Sequence, residues 1–309
     1  MPAIREIARG LRFPEGPIAL PDGAVLLVEI ERGTLTRVEP DGSTRVIATT
    51  GGGPNGAAIG PDGACYITNN GGFEWLKDER AGTIRPHMQA RDYTGGRIER
   101  VDLATGKVDV LYTHGPNHKL NGPNDLVFDA HGGFYFTDLG KVRDREWDRG
   151  CVYWAKADGS EIKEVVFPLT TPNGCGLSPD GKVLYVAETQ TGRVWAYDIV
   201  APGEVRKEPW PSPSGGRLLA GVGGYNLFDS LAVDADGNVC VATLFNPGIT
   251  VISPSGNWRH VAIPGDPYVT NICFGGDGLR TAYVTLSMSG RLVALDWDCG
   301  GCPLNYLNA

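Results

Sequence analysis

The sequence predicts an all-β chain folded as a six-bladed β-propeller, with four antiparallel strands per blade. Three observations predict it. Gly 44 and Pro 22 make up about a fifth of the 309 residues and are evenly spread, while hydrophobic residues still reach 41%; this is the composition of many short strands joined by frequent turns around a core. A strand–turn–strand unit recurs six times. Finally, the last such unit lacks a partner strand that the start of the chain can supply.

The recurring unit is "PEGPIALPDGAVLLVE" at the start, then "PNGAAIGPDGACYITN" (54–69), "PNDLVFDAHGGFYFTD" (123–138), "PNGCGLSPDGKVLYVAE" (172–188), "FDSLAVDADGNVCVAT" (228–243) and "VTNICFGGDGLRTAYVT" (269–285). Each reads as two strands about a tight Gly turn, with β-branched and aromatic residues after the turn. Most copies are followed by a looser hairpin, such as "GTLTRVEPDGSTRVIAT" (33–49) or "GRIERVDLATGKVDVLYT" (96–113). Four strands per unit, repeated at about fifty residues, is the blade pattern of a propeller. The closing "GRLVALDWD" (290–298) has no fourth strand after it, and "IREIARGLR" can complete that blade. With no linker in sight, the chain is read as one domain, 1–309.

The Gly of each hairpin serves as a ruler: Gly23, Gly63, Gly132, Gly181, Gly237 and Gly278. Eight residues before each stand Glu15, Asn55, Asn124, Asn173, Asp229 and Thr270. All six carry oxygen, and none is Lys or Arg. In a propeller the first strand of each blade lines the central channel, so equivalent positions form a ring around it. Crowded carboxylates repel unless a cation lies between them, and oxygen ligands without His or Cys suit a hard divalent ion. One such ion is expected, Ca²⁺ first, with Mg²⁺, Mn²⁺ or Zn²⁺ as alternatives. Asn between Pro and Gly is also ordinary turn chemistry, which accounts for Asn55 as readily, and a hydroxyl at Thr270 needs no ligand role. Turn preference does not account for Glu15 and Asp229.

These motifs, with "FPEGP", "TPNGCGLSPDGKVLYVAET" and "DSLAVDADGNVCVA", resemble the regucalcin (senescence marker protein), gluconolactonase and luciferin-regenerating-enzyme family of six-bladed propellers over essentially the whole chain. The resemblance implies a single channel cation and hydrolysis of sugar lactones or related cyclic esters. By motif, Glu15, Asn173 in "TPNG" and Asp229 in "FDSL" match the family's metal ligands. Asn124 in "GPND" matches an asparagine that binds metal or substrate. Sugar-lactone members often carry Arg two residues before that Asn, where this chain has Gly122; that turns the expectation away from an aldonolactone, not from lactones as a class.

The expected chemistry is Lewis-acid activation of a carbonyl and of a bound water, with Asp229 as general base. The same ring could serve a phosphotriester or P–F hydrolase of the diisopropyl-fluorophosphatase type, and the fold alone could be a non-catalytic binding scaffold. The long segment 70–96 is expected to overhang the channel as a lid, bringing Trp75, Arg91 and Tyr93 to the substrate beside Asn55 and Asn124; an oligomer contact is the alternative. "LGKVRDREWDRG" (139–150) adds cationic groups that could receive product, or that merely face solvent. Asp138 ends a strand at the same rim, as a support for the site or the start of a turn. His114 and His118 lie in a loop with no metal-binding pairing.

A net charge of −8 without a basic cluster argues against nucleic acid or an anionic membrane as partner and leaves a small molecule. No window of 18 apolar residues exists, and "MPAIREIARGLRF" lacks the apolar run of a signal peptide. The odd count of seven cysteines reads as free thiols in a reducing cytoplasm, and "CGGC" near the end lacks the partners that would make it a redox or zinc site.

Overall fold

Frequent turns require residues that tolerate positive φ, and the six ruler glycines all take it, from Gly278 (φ 60) to Gly23 (φ 87). Between such turns the apolar and β-branched runs pair into strands. The computed structural model describes residues 3–309 and contains six antiparallel blade sheets in chain order around one axis, with one further two-stranded sheet. Blade one is Pro14–Ala19, Val25–Glu29, Thr34–Val38 and Thr44–Thr49. Blades two to five begin with inner strands Pro54–Ile59, Pro123–Phe128, Pro172–Leu177 and Leu227–Val233. Blade four carries an extra short strand, Glu204–Val205, against its third.

Blade six is Val269–Gly275, Thr281–Leu286 and Arg291–Asp296, and its fourth strand is Arg5–Arg9 from the other end of the chain. The expected ring closure is therefore present. It covers the outer edge that Arg291–Asp296 would otherwise expose.

The core is a series of clusters between neighbouring blades. One joins Tyr66, Phe128, Phe134, Phe136 and Tyr153 across blades two and three; another joins Ile249, Ile272, Phe274 and Leu295 across blades five and six. All seven cysteines are free, five of them buried in these strands. Among the described residues no helix is long and apolar enough to cross a membrane.

Candidate metal centre

Every inner strand carries a β-bulge at the same place. The pairing slips between Glu15 and Ile18, Pro54 and Ala57, Pro123 and Leu126, Pro172 and Cys175, Phe228 and Leu231, and Val269 and Asn271. An extra residue on one strand bends it and re-aims its side chains, and here the six bulges coincide with the six ring positions. In blades one, two and four the residue after the ring position is a glycine, which lets neighbouring strands approach closely. A Cβ on Gly16 would lie 2.7 Å from the Asn55 carbonyl oxygen, and one on Gly56 would lie 2.6 Å from that of Asn124.

Glu15, Asn55, Asn124, Asn173 and Thr270 are buried, while Asp229 is half-buried, enclosed by protein but with surface left to the channel. Glu15 Oε2 accepts the Asn271 amide at 2.7 Å and the Gly16 N–H at 2.8 Å. Asn173 donates from Nδ2 to the Thr189 hydroxyl at 3.1 Å, which turns its Oδ1 the other way. That Oδ1 accepts the Ser230 hydroxyl at 3.4 Å, and the next residue back, Asp229, feels the charges of Glu15 and Asp125. The ring thus brings Glu15, Asn173 and Asp229 together.

Burial raises the Glu15 carboxyl to about 7 against the Asn271 and Gly16 hydrogen bonds. Asp125 goes to about 8, through burial first and the Glu15 charge second. Asp229 is raised well above the carboxylate range for the same two reasons in the same order. None of the three takes part in a salt bridge among the described residues. Two buried carboxylates and a half-buried third, crowded together without a counter-cation, are costly.

The Asn124 Oδ1 beside them is buried with no hydrogen-bond partner. An orphaned oxygen of this kind among carboxylates fits a hard divalent ion. Among the described residues no three His, Cys, Asp or Glu side chains converge closely enough to hold an ion by themselves, so the donor set needs its amides. Thr270 does not supply a free donor: its hydroxyl is taken up by those of Thr285, at 2.9 Å, and Ser287.

A second repeated device positions the ring, and the sequence reading reached only one member of it. The last residue of the second strand in blades one to four is polar and buried, and it captures the backbone two or three residues ahead of the ring residue. Glu29 accepts the Arg12 N–H at 2.7 Å, Asn69 the Gly53 N–H at 2.8 Å, and Glu188 the Thr170 N–H at 2.7 Å. Asp138 accepts the N–H groups of Asn121 and Gly122, both at 2.7 Å, and of Gly140 at 3.0 Å. Asp138 is therefore a support for the segment that delivers Asn124. The signal was present in the strand ends "LLVE", "YITN", "YFTD" and "YVAE".

The segment 70–96 forms a hairpin, Phe73–Asp78 with Thr83–Gln89, laid across the ring side. Ile84 N–H donates to the Met288 carbonyl of blade six at 3.0 Å, Gln89 N–H to the Val142 carbonyl of blade three at 3.1 Å, and Lys77 pairs with Glu31 of blade one. Trp75 packs on Phe13, ring centroids 5.2 Å apart, at the lead-in to Glu15. Tyr93 donates its hydroxyl to the Asn121 carbonyl at 2.7 Å, as a brace for the lead-in to Asn124. Arg91 is not brought to the channel: its side chain is 92% exposed and pairs with Glu74 at 2.6 Å. It lies just past the hairpin strand, which ends at Gln89.

The cationic loop 139–150 does not offer its lysine to a product, because Lys141 is buried under the hairpin. Its Nζ donates to the carbonyls of Asn70 and Gly72, both at 2.8 Å, and lies 4.4 Å from the Phe73 ring centroid. Arg143 pairs with Asp148 at 2.9 Å. His114 and His118 are exposed in their loop.

On the other side of the ring the channel widens to about 840 Å³, with Asp125 and Asn271 at its inner end and Ile18, Leu126, Leu231 and Phe274 on its walls. The C-terminal segment 302–309 lies across its far mouth. Asn305 Nδ2 donates to the Phe128 carbonyl at 3.0 Å, Tyr306 accepts the Gly132 N–H at 2.8 Å, and Leu307 packs on the Ile18 cluster.

Comparison with known proteins gives concordant results. The family model described as the SMP-30/Gluconolactonase/LRE-like region matches residues 13–288. Gluconolactonase of Zymomonas mobilis is 26% identical over 92% of this chain and 79% of its own length. Lactonase drp35 of Staphylococcus saprophyticus is 29% identical over 76% of this chain, and the match spans 64% of that protein's length. Among solved structures, the calcium-binding protein regucalcin of Agrobacterium tumefaciens superposes with a TM-score of 0.74 at 18% identity, covering 97% of this chain and 95% of that one; this likeness bears on the fold.

Proposed function

The chain belongs to the SMP-30/gluconolactonase/LRE-like family, and from that premise we propose that it hydrolyses a small lactone with the help of one divalent cation. The observation that carries the reading is the partnerless buried Oδ1 of Asn124 among three carboxylates that lack a counter-cation. Relatives that bear the names gluconolactonase and lactonase support the reaction class.

Glu15, Asn124, Asn173 and Asp229 would hold the ion, calcium before magnesium, manganese or zinc. When bound, it supplies a Lewis acid for the ester carbonyl and makes a nearby water more acidic. Asp229, the one ring residue with surface open to the channel, takes the proton of the attacking water. Asn173 is fixed by Thr189 and by Ser230, the neighbour of Asp229. Glu15, held by Asn271 and Gly16, acts only as a ligand. Asn55 stands beside Asn124 on the adjoining strand and faces the substrate, while Trp75 and Tyr93 shape the pocket through the segments they brace.

The test is a panel of lactones assayed with and without chelator. EDTA is expected to lower lactone turnover by about a hundredfold or more, with recovery on adding Ca²⁺. Turnover unchanged by EDTA and by add-back would sink the reading. Turnover confined to phosphotriesters would replace it with a phosphoryl hydrolase.

A further inference from the structure

The mouth above the ring carries a continuous arc of aromatic side chains drawn from four blades. Tyr225 stacks on Phe245 with centroids 5.2 Å apart and planes 10° from parallel. Phe245 meets Tyr268 edge-on at 5.4 Å, and Tyr268 meets Phe13 at 5.8 Å. Phe13 meets Trp75 at 5.2 Å, and Trp75 meets Phe73 at 6.0 Å. Phe13 and Tyr268 lie in the lead-in segments to the ring residues Glu15 and Thr270. Tyr225 and Phe245 flank the hairpin whose first strand bears Asp229. Their exposure, 71% for Tyr225 and 38% for Phe245, leaves a stacked pair of large apolar faces in water beside the one open carboxylate of the ring. Exposed aromatic surface of that kind marks a contact site.

A cation stands over this arc. Arg85 lies on the hairpin strand, on the face opposite the buried Ile84. Burial pushes the Tyr268 hydroxyl up, the charge of Arg85 opposes that rise and the charge of Asp229 adds to it, so both charged groups act on this ring. No carboxylate pairs with Arg85 among the described residues, whereas Arg91, Lys77 and Arg143 all have partners. An arginine left free over a binding mouth suits a carboxylate, which it can grip with two parallel hydrogen bonds.

A polyol fits this mouth poorly. Sugar hydroxyls call for several polar side chains, and the arc presents rings instead. The position two residues before Asn124 cannot supply another, because a Cβ on Gly122 would meet the Gly140 carbonyl oxygen at 2.3 Å.

We propose that the substrate is a lactone bearing an aromatic ring and a carboxylate, the ring stacked on the Tyr225–Phe245–Tyr268 side of the arc and the carboxylate held by Arg85. This rests on the lactonase reading. In the reaction the acyl C–O bond of the lactone breaks and water adds its oxygen to the acyl carbon. One water proton passes through Asp229 to the leaving oxygen, and the product is a hydroxy acid with a second carboxylate.

The experiment uses the metal-loaded protein and three substrates: dihydrocoumarin, a dihydrocoumarin carboxylate and glucono-lactone. The carboxylated aryl lactone is expected to have the highest kcat/KM. Arg85→Ala should lower it about tenfold or more, chiefly through KM, and leave plain dihydrocoumarin within about twofold. Tyr225→Ala should weaken both aryl substrates and spare glucono-lactone. A preference for glucono-lactone, or an equal effect of Arg85→Ala on charged and uncharged substrates, overturns the proposal.

Calorimetric binding of the ring-opened aryl dicarboxylate separates the two readings. Binding that is lost in Arg85→Ala upholds the recognition site even where no lactone is turned over. Absence of binding together with turnover of other lactones removes the site and keeps the lactonase.

Discussion

Asp229 differs from its five ring counterparts in keeping part of its surface open, and it does so within reach of Glu15 and Asp125. A short carboxylate there repels its neighbours until a cation arrives. Function and stability therefore pull apart at this residue. We expect Asp229→Asn to lower kcat by about a thousandfold while raising the melting temperature of the metal-free protein. Steady-state assay and thermal unfolding in EDTA check the two halves. Retained turnover would remove Asp229 as the base.

The ring was legible in the sequence because hairpin length fixes register: a constant offset of eight from a turn glycine puts six side chains at one height. Arg85 was not legible and Arg91 was misjudged. They lie in and just beyond one hairpin strand, and which of them turns toward the axis depends on how the hairpin is laid down. The Asp125 carboxylate was also missed, because it follows a ring position and the offset rule skips it.

At the scale of single elements, the hairpin over the ring is anchored by a lysine in an unusual place. Burial depresses Lys141 to about 7 from its usual 10.5, against the attraction of Asp138 and Asp148 and with Arg143 acting in the same sense as burial. The folded protein therefore releases this proton near neutrality while the unfolded chain keeps it to 10.5. In that window the unfolded state binds more protons, so this group makes stability rise with pH. Lys141→Met should abolish the rise: the stability of wild type relative to the variant increases from pH about 7 to about 10. Urea unfolding of both proteins across that range is the measurement, and parallel pH profiles would contradict the assignment.

The strand-end clips show a different kind of hidden information. "VE", "TN", "TD" and "AE" look like the start of turns, since a buried acceptor is recognised only when its donor's position is known. Sequence carried the residues, and the fold supplied the backbone N–H groups they satisfy.

For the molecule as a whole, the blade repeat and its closure were readable from one chain because every blade repeats the same hairpin grammar. The overall arrangement of the channel was not. Its wide part lies behind the ring and is crossed by the segment 302–309, which carries none of the blade motifs. Closure itself is testable. Removing residues 1–9 uncovers the edge of Arg291–Asp296, and we expect a melting temperature lower by about 10 °C, with concentration-dependent association on size exclusion. An unchanged, monomeric propeller would show that the seam contributes little.

The seam also orders events during synthesis. Arg5–Arg9 is made before all the other blades and its partner Arg291–Asp296 after them, so one ribbon waits while the blades between are synthesised. That ribbon reads "REIAR", and its three charged residues keep a solitary strand soluble and unattractive to other edges until the final sheet emerges to receive it.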